Sequence, residues 1–161
     1  MALPKEKPPG LDSPWTARLL KYGSRANVAL FRATNGHVGG TWRISAGWRK
    51  PVPILLLEHV GRRSGRSLTT PLVYLEDGRD LVVVASQGGL PKHPQWLHNL
   101  RATPEATVLL KGGRRNVRAR VAYPDERAQL WPRLVDLYAD FDTYQRWTDR
   151  EIPVVVLEPR S

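Results

Sequence analysis

A chain of 161 residues without cysteine excludes a disulfide scaffold and a thiolate metal site, and its length suits a single domain. Its composition is that of a globular protein, and the net charge of +10, from 25 Lys and Arg against 15 Asp and Glu, favours an anionic partner. No N-terminal apolar stretch is long enough for a signal peptide or a membrane span, so we expect a cytoplasmic protein, with peripheral contact to an anionic membrane left open.

The N-terminal part divides at Ser13-Pro14. Residues 1–12 are rich in Pro and Lys and show no periodicity, which predicts a flexible arm before one domain over residues 13–161. Ser13 suits the cap of a helix and Pro14 its first position. We expect this helix to end at Asn35-Gly36 and to pack on the domain, although its basic flank also suits a membrane surface. Its apolar stripe comprises Trp15, Leu19, Tyr22, Ala26, Ala29 and Ala33.

The middle of the chain is typical of strands joined by short turns. Apolar and β-branched runs at residues 54–57, 70–75 and 81–85 predict three strands. Residues 76–79 contain Asp-Gly and predict a hairpin turn between the second and the third. A short helix is expected over residues 94–102, because a Thr-Pro pair follows it.

The second half continues the pattern. Strands are expected at residues 106–110 and 116–122, a long helix at residues 125–137, where Pro132 favours a kink or a division, and a last strand at residues 152–157. Short turns between neighbouring strands favour antiparallel pairing and exclude a doubly wound sheet. The sequence therefore predicts an α+β domain built as a small closed or split barrel of six mainly antiparallel strands with peripheral helices.

Common catalytic signatures are absent from the sequence. There is no phosphate-binding Gly-x-x-x-x-Gly-Lys loop, no Gly-x-Gly-x-x-Gly and no Gly-x-Ser-x-Gly elbow. The four His residues lack the spacing of zinc ligands, so no metal is expected. The basic residues are scattered and match no nucleic-acid-binding motif, so no nucleic-acid partner is expected.

Two loops carry the chemistry that remains. In the first, Arg62, Arg63, Ser64 and Arg66 lie between strands, where guanidinium groups, a hydroxyl and backbone amides can hold a phosphate. Taken alone, this loop also fits a solvated basic turn. The second loop follows a strand with Ser86 and two glycines, and it leads to Pro94-Gln95-Trp96 at a helix N-terminus that favours anions.

An aromatic series follows the second long helix. Tyr138, Phe141, Tyr144 and Trp147 are spaced by three residues, and acidic residues surround them. This pattern fits a core stripe and an aromatic-lined mouth with phenolic donors equally well.

With these residues in place, the chain resembles the deazaflavin-dependent nitroreductase family, whose members use coenzyme F420. The resemblance runs from about residue 11 to the end, and its motifs occur in the same order and with similar spacing. They are Gly61-Arg62-Arg63-Ser64-Gly65, Thr70-Pro71-Leu72, Ala85-Ser86-Gln87-Gly88-Gly89, Pro94-Gln95-Trp96-Leu97-His98-Asn99-Leu100 and Trp147-Thr148-Asp149-Arg150-Glu151-Ile152-Pro153.

The resemblance implies a split barrel related to the flavin-binding pyridoxamine-phosphate-oxidase-like proteins, and it implies roles for individual residues. Arg62, Arg63 and Ser64 would hold the phosphate and acidic tail of the cofactor. Tyr22, Ser86, Tyr138 and Tyr144 match substrate-pocket positions and would act on the acceptor. The remaining cofactor positions are Leu68, Thr69, Thr70, Pro71, Leu72, Val73, Val84, Ala85, Gln87 and Phe141 around the ring, with Gln95, Trp96, Leu97, His98 and Asn99 closing over it.

The chain departs from the family pattern in four places, one of which is a pair of residues. Arg63 stands where family members usually have Lys, and Leu68 where many have Arg. Glu58-His59 replaces a Thr pair, and Phe141 occupies a position that can be Tyr, which removes a phenolic donor. These departures concern the range of substrates more than the identity of the cofactor.

The resulting expectation is an oxidoreductase that passes a hydride from reduced coenzyme F420 to a quinone or a nitroaromatic acceptor. The cofactor carries the chemistry, and the protein binds and orients it. An FMN-dependent oxidoreductase on the same barrel and a non-catalytic protein that binds deazaflavin or a lipid surface are the alternatives. The acceptor and the oligomeric state are left open.

Overall fold

A computed structural model describes residues 6, 7, 9, 13, 25, 26, 28–34, 36, 40–42 and 51–160. The predicted arm over residues 1–12 and the start of the first helix fall almost wholly outside the described residues, and Tyr22 lies outside them. Residues 25, 26 and 28–33 are helical. The helix ends at Gly36 as expected: the Gly36 amide donates to the Phe31 carbonyl at 2.9 Å, and Gly36 has a φ of 81°.

The described residues form a closed antiparallel barrel. Strand β2 pairs with β3 along one edge and with β5 along the other, which closes six strands in the order β2-β3-β4-β7-β6-β5. The two-residue strand β1 adds to the beginning of β2. The predicted barrel of six antiparallel strands is therefore confirmed. The strands are β1 Thr41–Trp42, β2 Val52–Val60, β3 Ser67–Asp77, β4 Asp80–Val84, β5 Glu105–Leu110, β6 Gly113–Val121 and β7 Val154–Pro159.

Three helices follow β1 in the described residues: α1 Gln95–Ala102, α2 Pro124–Leu137 and α3 Asp140–Arg146. The sequence predicted α1 and α2 within one residue of these bounds and missed α3. Pro132 lies inside α2, which is a single helix of 14 residues, so the expected division does not occur. The strands extend one to three residues beyond most predicted ends, because pairing continues through polar residues such as Ser67.

Strands buried on both faces explain the continuous apolar runs of the sequence. In β4, Leu81 and Val83 belong to the cluster inside the barrel, whereas Val82 and Val84 belong to a second cluster with Leu134 of α2. α1 contributes Trp96, Leu97 and Leu100 to the interior cluster, and α2 and α3 cover the outer one. This arrangement places the middle of β3 and the end of β4 between α1 on one side and α2–α3 on the other.

The β3–β4 turn is the predicted hairpin. Asp77 pairs with Asp80, and Gly78 has a φ of 61°, which a glycine adopts without strain. Within the described residues, no helix combines the length and the apolar character needed to cross a membrane.

Candidate functional site

A cavity of about 370 Å³ opens where β3 and β4 meet α3. Its walls come from the middle of β3, from the end of β4 with the loop that follows, and from the aromatic residues of the α2–α3 segment. Trp96 closes the side that faces α1. The lining residues are Ile54, Thr70, Pro71, Leu72, Val73, Val84, Ser86, Gln87, Gly88, Pro94, Trp96, Tyr138, Phe141 and Tyr144. The Ser86 loop and the aromatic series therefore face the same space.

The loop after β4 is built by residues with positive φ. Gln87, Gly88 and Gly89 have φ angles of 45°, 63° and 77° in succession, and they form a short 3₁₀ turn. A Cβ on Gly89 would lie 2.9 Å from the Tyr144 carbonyl oxygen, so glycine allows α3 to pack directly on this loop. The tight turn keeps Ser86 and Gln87 against the cavity.

The Arg150 side chain holds the same loop in place through hydrogen bonds to its backbone. Its guanidinium donates to the carbonyl oxygens of Leu90 at 2.9 Å, Ala85 at 3.2 Å and Ser86 at 2.7 Å. It also lies 3.1 Å from Nδ1 of His93. Burial, followed by the Arg150 charge, lowers the pKa of His93 below its usual range, which keeps that imidazole neutral. The sequence motif contained Arg150, but no pattern in the sequence indicated this clamp.

Ser86 presents a buried hydroxyl to the cavity. The residue is 8% exposed, and its carbonyl accepts from Arg150 and from the Gly89 amide. Among the described residues, no side chain or backbone group hydrogen-bonds the Ser86 hydroxyl, which lies in the cavity wall. A buried hydroxyl without a partner costs about 1–3 kcal/mol, so this atom is arranged for a polar group of a ligand.

Tyr138, Phe141 and Tyr144 form the aromatic wall. The rings of Tyr138 and Phe141 pack edge to face with centroids 5.1 Å apart, and the Tyr138 and Tyr144 centroids are 6.5 Å apart. Burial first, and then Tyr144 and Asp140, raise the pKa of Tyr138 far above its usual value. Burial also raises the pKa of Tyr144. Both phenols therefore keep their protons and act as hydrogen-bond donors.

Asp140 is a carboxyl group that the sequence did not single out. It is 3% exposed and hydrogen-bonds the phenol of Tyr138 at the beginning of α3. Its position one residue before Phe141 gave no signal, because acidic residues are common near helix N-termini.

A second cavity of about 560 Å³ adjoins the first and shares Thr70 and Trp96 with it. Its lining was only partly expected: Leu68, Thr69, Gln95 and Asn99 were predicted cofactor positions, whereas His59 and Ser67 were not. The complete lining is Arg25, Val28, His59, Ser67, Leu68, Thr69, Thr70, Gln95, Trp96 and Asn99.

The basic loop between β2 and β3 docks onto α1 beside this second cavity. Gly65 has a φ of 68°, and its amide donates to the Gly61 carbonyl at 2.8 Å, which makes a tight turn. The Arg62 guanidinium donates to Gln95 at 2.9 Å and to Asn99 at 3.2 Å, and the Arg62 amide donates to Asn99 at 3.1 Å. The two loops singled out in the sequence thus meet through α1.

The remaining predicted positions lie around these cavities in different ways. Arg63 and Ser64 are exposed on the basic loop and line neither cavity. Ala85 and Leu97 point into the barrel core, and Ala85 serves the site through its carbonyl. His98 is half-buried next to His93, with ring centroids 6.0 Å apart. Tyr22 lies outside the described residues.

The arrangement suits a planar ring with an anionic tail. The first cavity has apolar, aromatic walls with hydroxyl donors, and such walls bind flat conjugated rings. The second leads from Thr70 and Trp96 towards Gln95 and Asn99, the partners of Arg62. Guanidinium groups at the edge of a cavity favour phosphate and carboxylate groups.

Sequence comparison gives matches along most of the chain. A family model described as F420H(2)-dependent quinone reductase matches residues 23–159. A protein of Mycobacterium tuberculosis (strain ATCC 25618 / H37Rv) that is named after this activity is 53% identical over 118 residues, which are 73% of this chain and 99% of that protein. Another protein of that strain, named F420H(2)-dependent quinone reductase, is 37% identical over 139 residues, with 84% and 89% covered.

Solved structures show the same barrel. A structure of the F420-H2 dependent reductase FDR-A has a TM-score of 0.62 and 36% identity, covering 66% of this chain and 94% of its own. A domain-swapped dimer has the same TM-score and identity and is covered over 80% of its chain. The heme storage protein HutZ from Vibrio cholerae has a TM-score of 0.52 at 12% identity, with 67% and 82% covered, and shows a shared fold alone.

Proposed function

The chain belongs to the F420H(2)-dependent quinone reductase family, and on that premise we propose that it passes a hydride from reduced coenzyme F420 to a quinone. Coenzyme F420 is the cofactor and a reductase is the class of enzyme, since the family is named for its dependence on F420H2. The balanced reaction is F420H2 plus quinone giving F420 plus quinol.

One observation carries the proposal for this site: the Ser86 hydroxyl is buried in the wall of an aromatic cavity and has no partner among the described residues. Ser86 would donate to the ring or to the acceptor at the reacting edge. Thr70, Pro71, Leu72 and Val73 would support the opposite face, because they line the same cavity.

The tail of the cofactor is assigned to the basic loop and the second cavity. Arg62 is held at the rim by Gln95 and Asn99, so its charge is already in place for a phosphate. The exposed Arg63 and Ser64 would reach the acidic part of the tail. Leu68 lines the second cavity at a position where the resemblance implies Arg in many relatives, so one contact with the tail would be either lost or moved to Arg66.

Bound cofactor supplies the hydride, and the protein has to hold the acceptor and exclude water. Tyr144 would donate a hydrogen bond to an oxygen of the quinone, since its phenol keeps its proton. Tyr138, whose proton is engaged by neighbouring protein groups, would position the acceptor through its ring. Because their raised pKa values keep both groups protonated, these groups position the acceptor. Tyr22 is assigned to the same pocket through the family resemblance. A nitroaromatic would use the same donors through its nitro oxygens.

A quinone dissolved in a lipid membrane would require the protein, acting from the cytoplasm, to contact an anionic membrane surface. Residues 13–161 would form the single domain that makes this contact. The net charge of +10 and the exposed Leu68, beside Arg63 and Arg66, support this contact. Co-sedimentation with anionic vesicles that is lost in neutral vesicles and at high salt is the expected result. Equal sedimentation with both vesicle types would contradict it.

The direct test is binding and turnover. Oxidised coenzyme F420 titrated into the protein should show saturable fluorescence changes at micromolar protein, and F420H2 with menadione should give stoichiometric quinol. The Arg62→Ala/Arg63→Ala variant should weaken binding strongly, whereas Arg79→Ala, an exposed charge on the β3–β4 hairpin, should not. Absence of saturable binding would contradict the proposal. A yellow purified protein with a flavin absorption spectrum would favour the FMN alternative.

A further inference from the structure

A buried histidine connects the two cavities. His59 of β2 is 4% exposed and was assigned no role by the sequence. Its Nε2 lies 3.0 Å from Oγ1 of Thr70, and its Nδ1 lies 3.2 Å from Nδ2 of Asn99. Thr70 lines both cavities, so the imidazole touches a residue of the ring site without lining that site itself.

The neighbours of His59 determine which nitrogen carries its proton. The Asn99 Oδ1 accepts from the backbone amide and the guanidinium of Arg62, so the NH2 group of Asn99 faces His59. An amide NH2 can only donate, and Nδ1 of His59 must therefore accept. Burial lowers the pKa of His59 to about 4, so the ring is neutral near pH 7 and its one proton sits on Nε2.

This tautomer decides the direction of the Thr70 hydroxyl. Nε2–H of His59 donates to Oγ1 of Thr70, so Thr70 accepts that bond and its own hydroxyl proton must point elsewhere. Among the described residues, the Thr70 hydroxyl makes no second hydrogen bond. The hydroxyl lies at the boundary between the aromatic cavity and the second cavity.

We propose that His59 is a positioning residue that commits Thr70 to donate its hydroxyl proton into the cavity, to an acceptor atom of the deazaflavin ring. The role rests on the proposed function, because the acceptor belongs to the cofactor. Arg62 takes part at the other end: by holding Asn99 Oδ1, it fixes the chain Arg62–Asn99–His59–Thr70. A chain of hydrogen bonds thus joins the basic loop to the ring pocket, and in each bond the donor and the acceptor are fixed.

The first experiment needs no cofactor. Long-range ¹⁵N–¹H spectra of the full chain, with the His59 signals assigned through His59→Gln, report the protonation of each ring nitrogen. A neutral ring with the proton on Nε2 is expected between pH 6 and pH 8. A proton on Nδ1, or a protonated ring at pH 7, overturns the proposal.

The second experiment uses a matched pair of variants. Gln places a donor NH2 where Nε2 of His59 lies, whereas Asn places an acceptor oxygen near Nδ1 and lacks the distal donor. His59→Asn and Thr70→Val should each weaken the binding of oxidised coenzyme F420 by about 10-fold, the worth of one buried hydrogen bond. His59→Gln should stay within about 3-fold of the unsubstituted protein.

The double variant and a shortened ligand complete the test. In Thr70→Val, a further His59→Asn should cost nothing more, because His59 acts through Thr70. The same losses are expected with 8-hydroxy-5-deazariboflavin, which has the ring but not the phosphorylated tail. Additive losses, equal effects of Asn and Gln, or losses restricted to the full cofactor overturn the role of His59. Near-ultraviolet circular dichroism and urea titration identify any variant that fails to fold. In that case the ¹⁵N spectra of the unsubstituted protein decide whether His59 carries its proton on Nε2.

These results separate the two proposals. If the unsubstituted protein does not bind oxidised coenzyme F420, the proposed function fails and the role of His59 fails with it. If binding is normal but the substitutions at His59 and Thr70 are independent, only the role of His59 is overturned.

Discussion

At the residue scale, the hydroxyl of Ser86, which has no partner among the described residues, separates a functional role from a structural one. Removing a hydroxyl that has no protein partner costs the fold little, whereas a ligand that depends on it loses a hydrogen bond. The sequence indicated Ser86 through its place before two glycines. Its burial and its lack of a partner among the described residues emerged only from the three-dimensional arrangement.

We therefore predict that Ser86→Ala does not lower the free energy of unfolding, and raises it by up to about 1–3 kcal/mol because the cost of the buried hydroxyl is removed, while it lowers kcat/KM for a quinone by about 10-fold or more. Urea titration and steady-state turnover with F420H2 are the measurements. Thr107→Val is the control, since Thr107 lines neither of the two cavities. A large loss of stability with unchanged turnover would reverse the assignment.

His59 predicts how stability depends on pH. Its folded pKa of about 4 lies below the usual value of 6.5, so the unfolded chain binds more protons between these values and stability falls as pH falls. The contribution is fully present above about pH 6.5 and is lost by about pH 4, in total about 3 kcal/mol. Urea midpoints at pH 7.5 and pH 4.5 should differ less in His59→Gln than in the unsubstituted protein. His98→Gln, which changes a half-buried histidine, is the control, and an identical pH response of both variants would refute the expectation.

At the element scale, the loop after β4 contains two glycines with different structural roles. Gly88 and Gly89 both have positive φ, but only Gly89 is packed against α3, where a Cβ would meet the Tyr144 carbonyl. Among the described residues, no atom apart from those of its chain neighbours lies within 4 Å of a Cβ built on Gly88. Substitutions at Gly88 and Gly89 therefore distinguish the cost of backbone strain from the cost of lost packing space within one loop.

Gly88→Ala should cost about 1–2 kcal/mol from the left-handed backbone alone. Gly89→Ala should cost about 2–5 kcal/mol, because α3 must also move away from the loop. The two free energies of unfolding from urea titration provide the comparison. Equal costs would mean that α3 does not press on this loop as described.

Elements were predictable where one local pattern decided them. The apolar runs of β2 and β4, the Asp-Gly turn and the Pro-started helix α1 all have short-range signals, and each was located within a few residues. Helix α3 was missed because Phe141 and Tyr144 sit at a spacing of three among polar residues, which fits several structures. Strand β1 consists of two residues and exists only through its pairing with Pro53 and Val52 of β2.

The site was predictable to the extent that its residues lie in recognisable loops. Ser86, Thr70 and Trp96 were expected and do line the aromatic cavity. His59 and the clamp of Arg150 were missed, because each depends on partners that are distant in sequence. Asp140 was missed because acidic residues are common near helix N-termini. Arg150 binds carbonyls about 60 residues earlier in the chain, and no spacing rule reports such a contact.

At the scale of the whole molecule, the charge of +10 should govern how cofactor affinity responds to salt. A phosphorylated, carboxylate-rich tail is attracted over a distance that shortens to about 8 Å at physiological ionic strength. We predict that affinity for oxidised coenzyme F420 falls steadily with added NaCl, whereas affinity for the tail-less deazaflavin changes little. Fluorescence titrations at three salt concentrations give both slopes. If affinity for both ligands fell equally with salt concentration, the charged tail would not be the cause of the salt dependence.

The closure of the barrel has a consequence for how the chain reaches its folded state. Strands β2 and β3, β3 and β4, and β5 and β6 are neighbours in sequence, so these hairpins can form early. The β2–β5 pairing joins Leu57 to Val108, roughly 50 residues apart, and such distant pairing is slow because its loop must close first. The aromatic cavity draws on strands and helices from both sides of that closure. The pocket should therefore be among the last features to form during folding, and a newly made chain should gain cofactor affinity only when its barrel has closed.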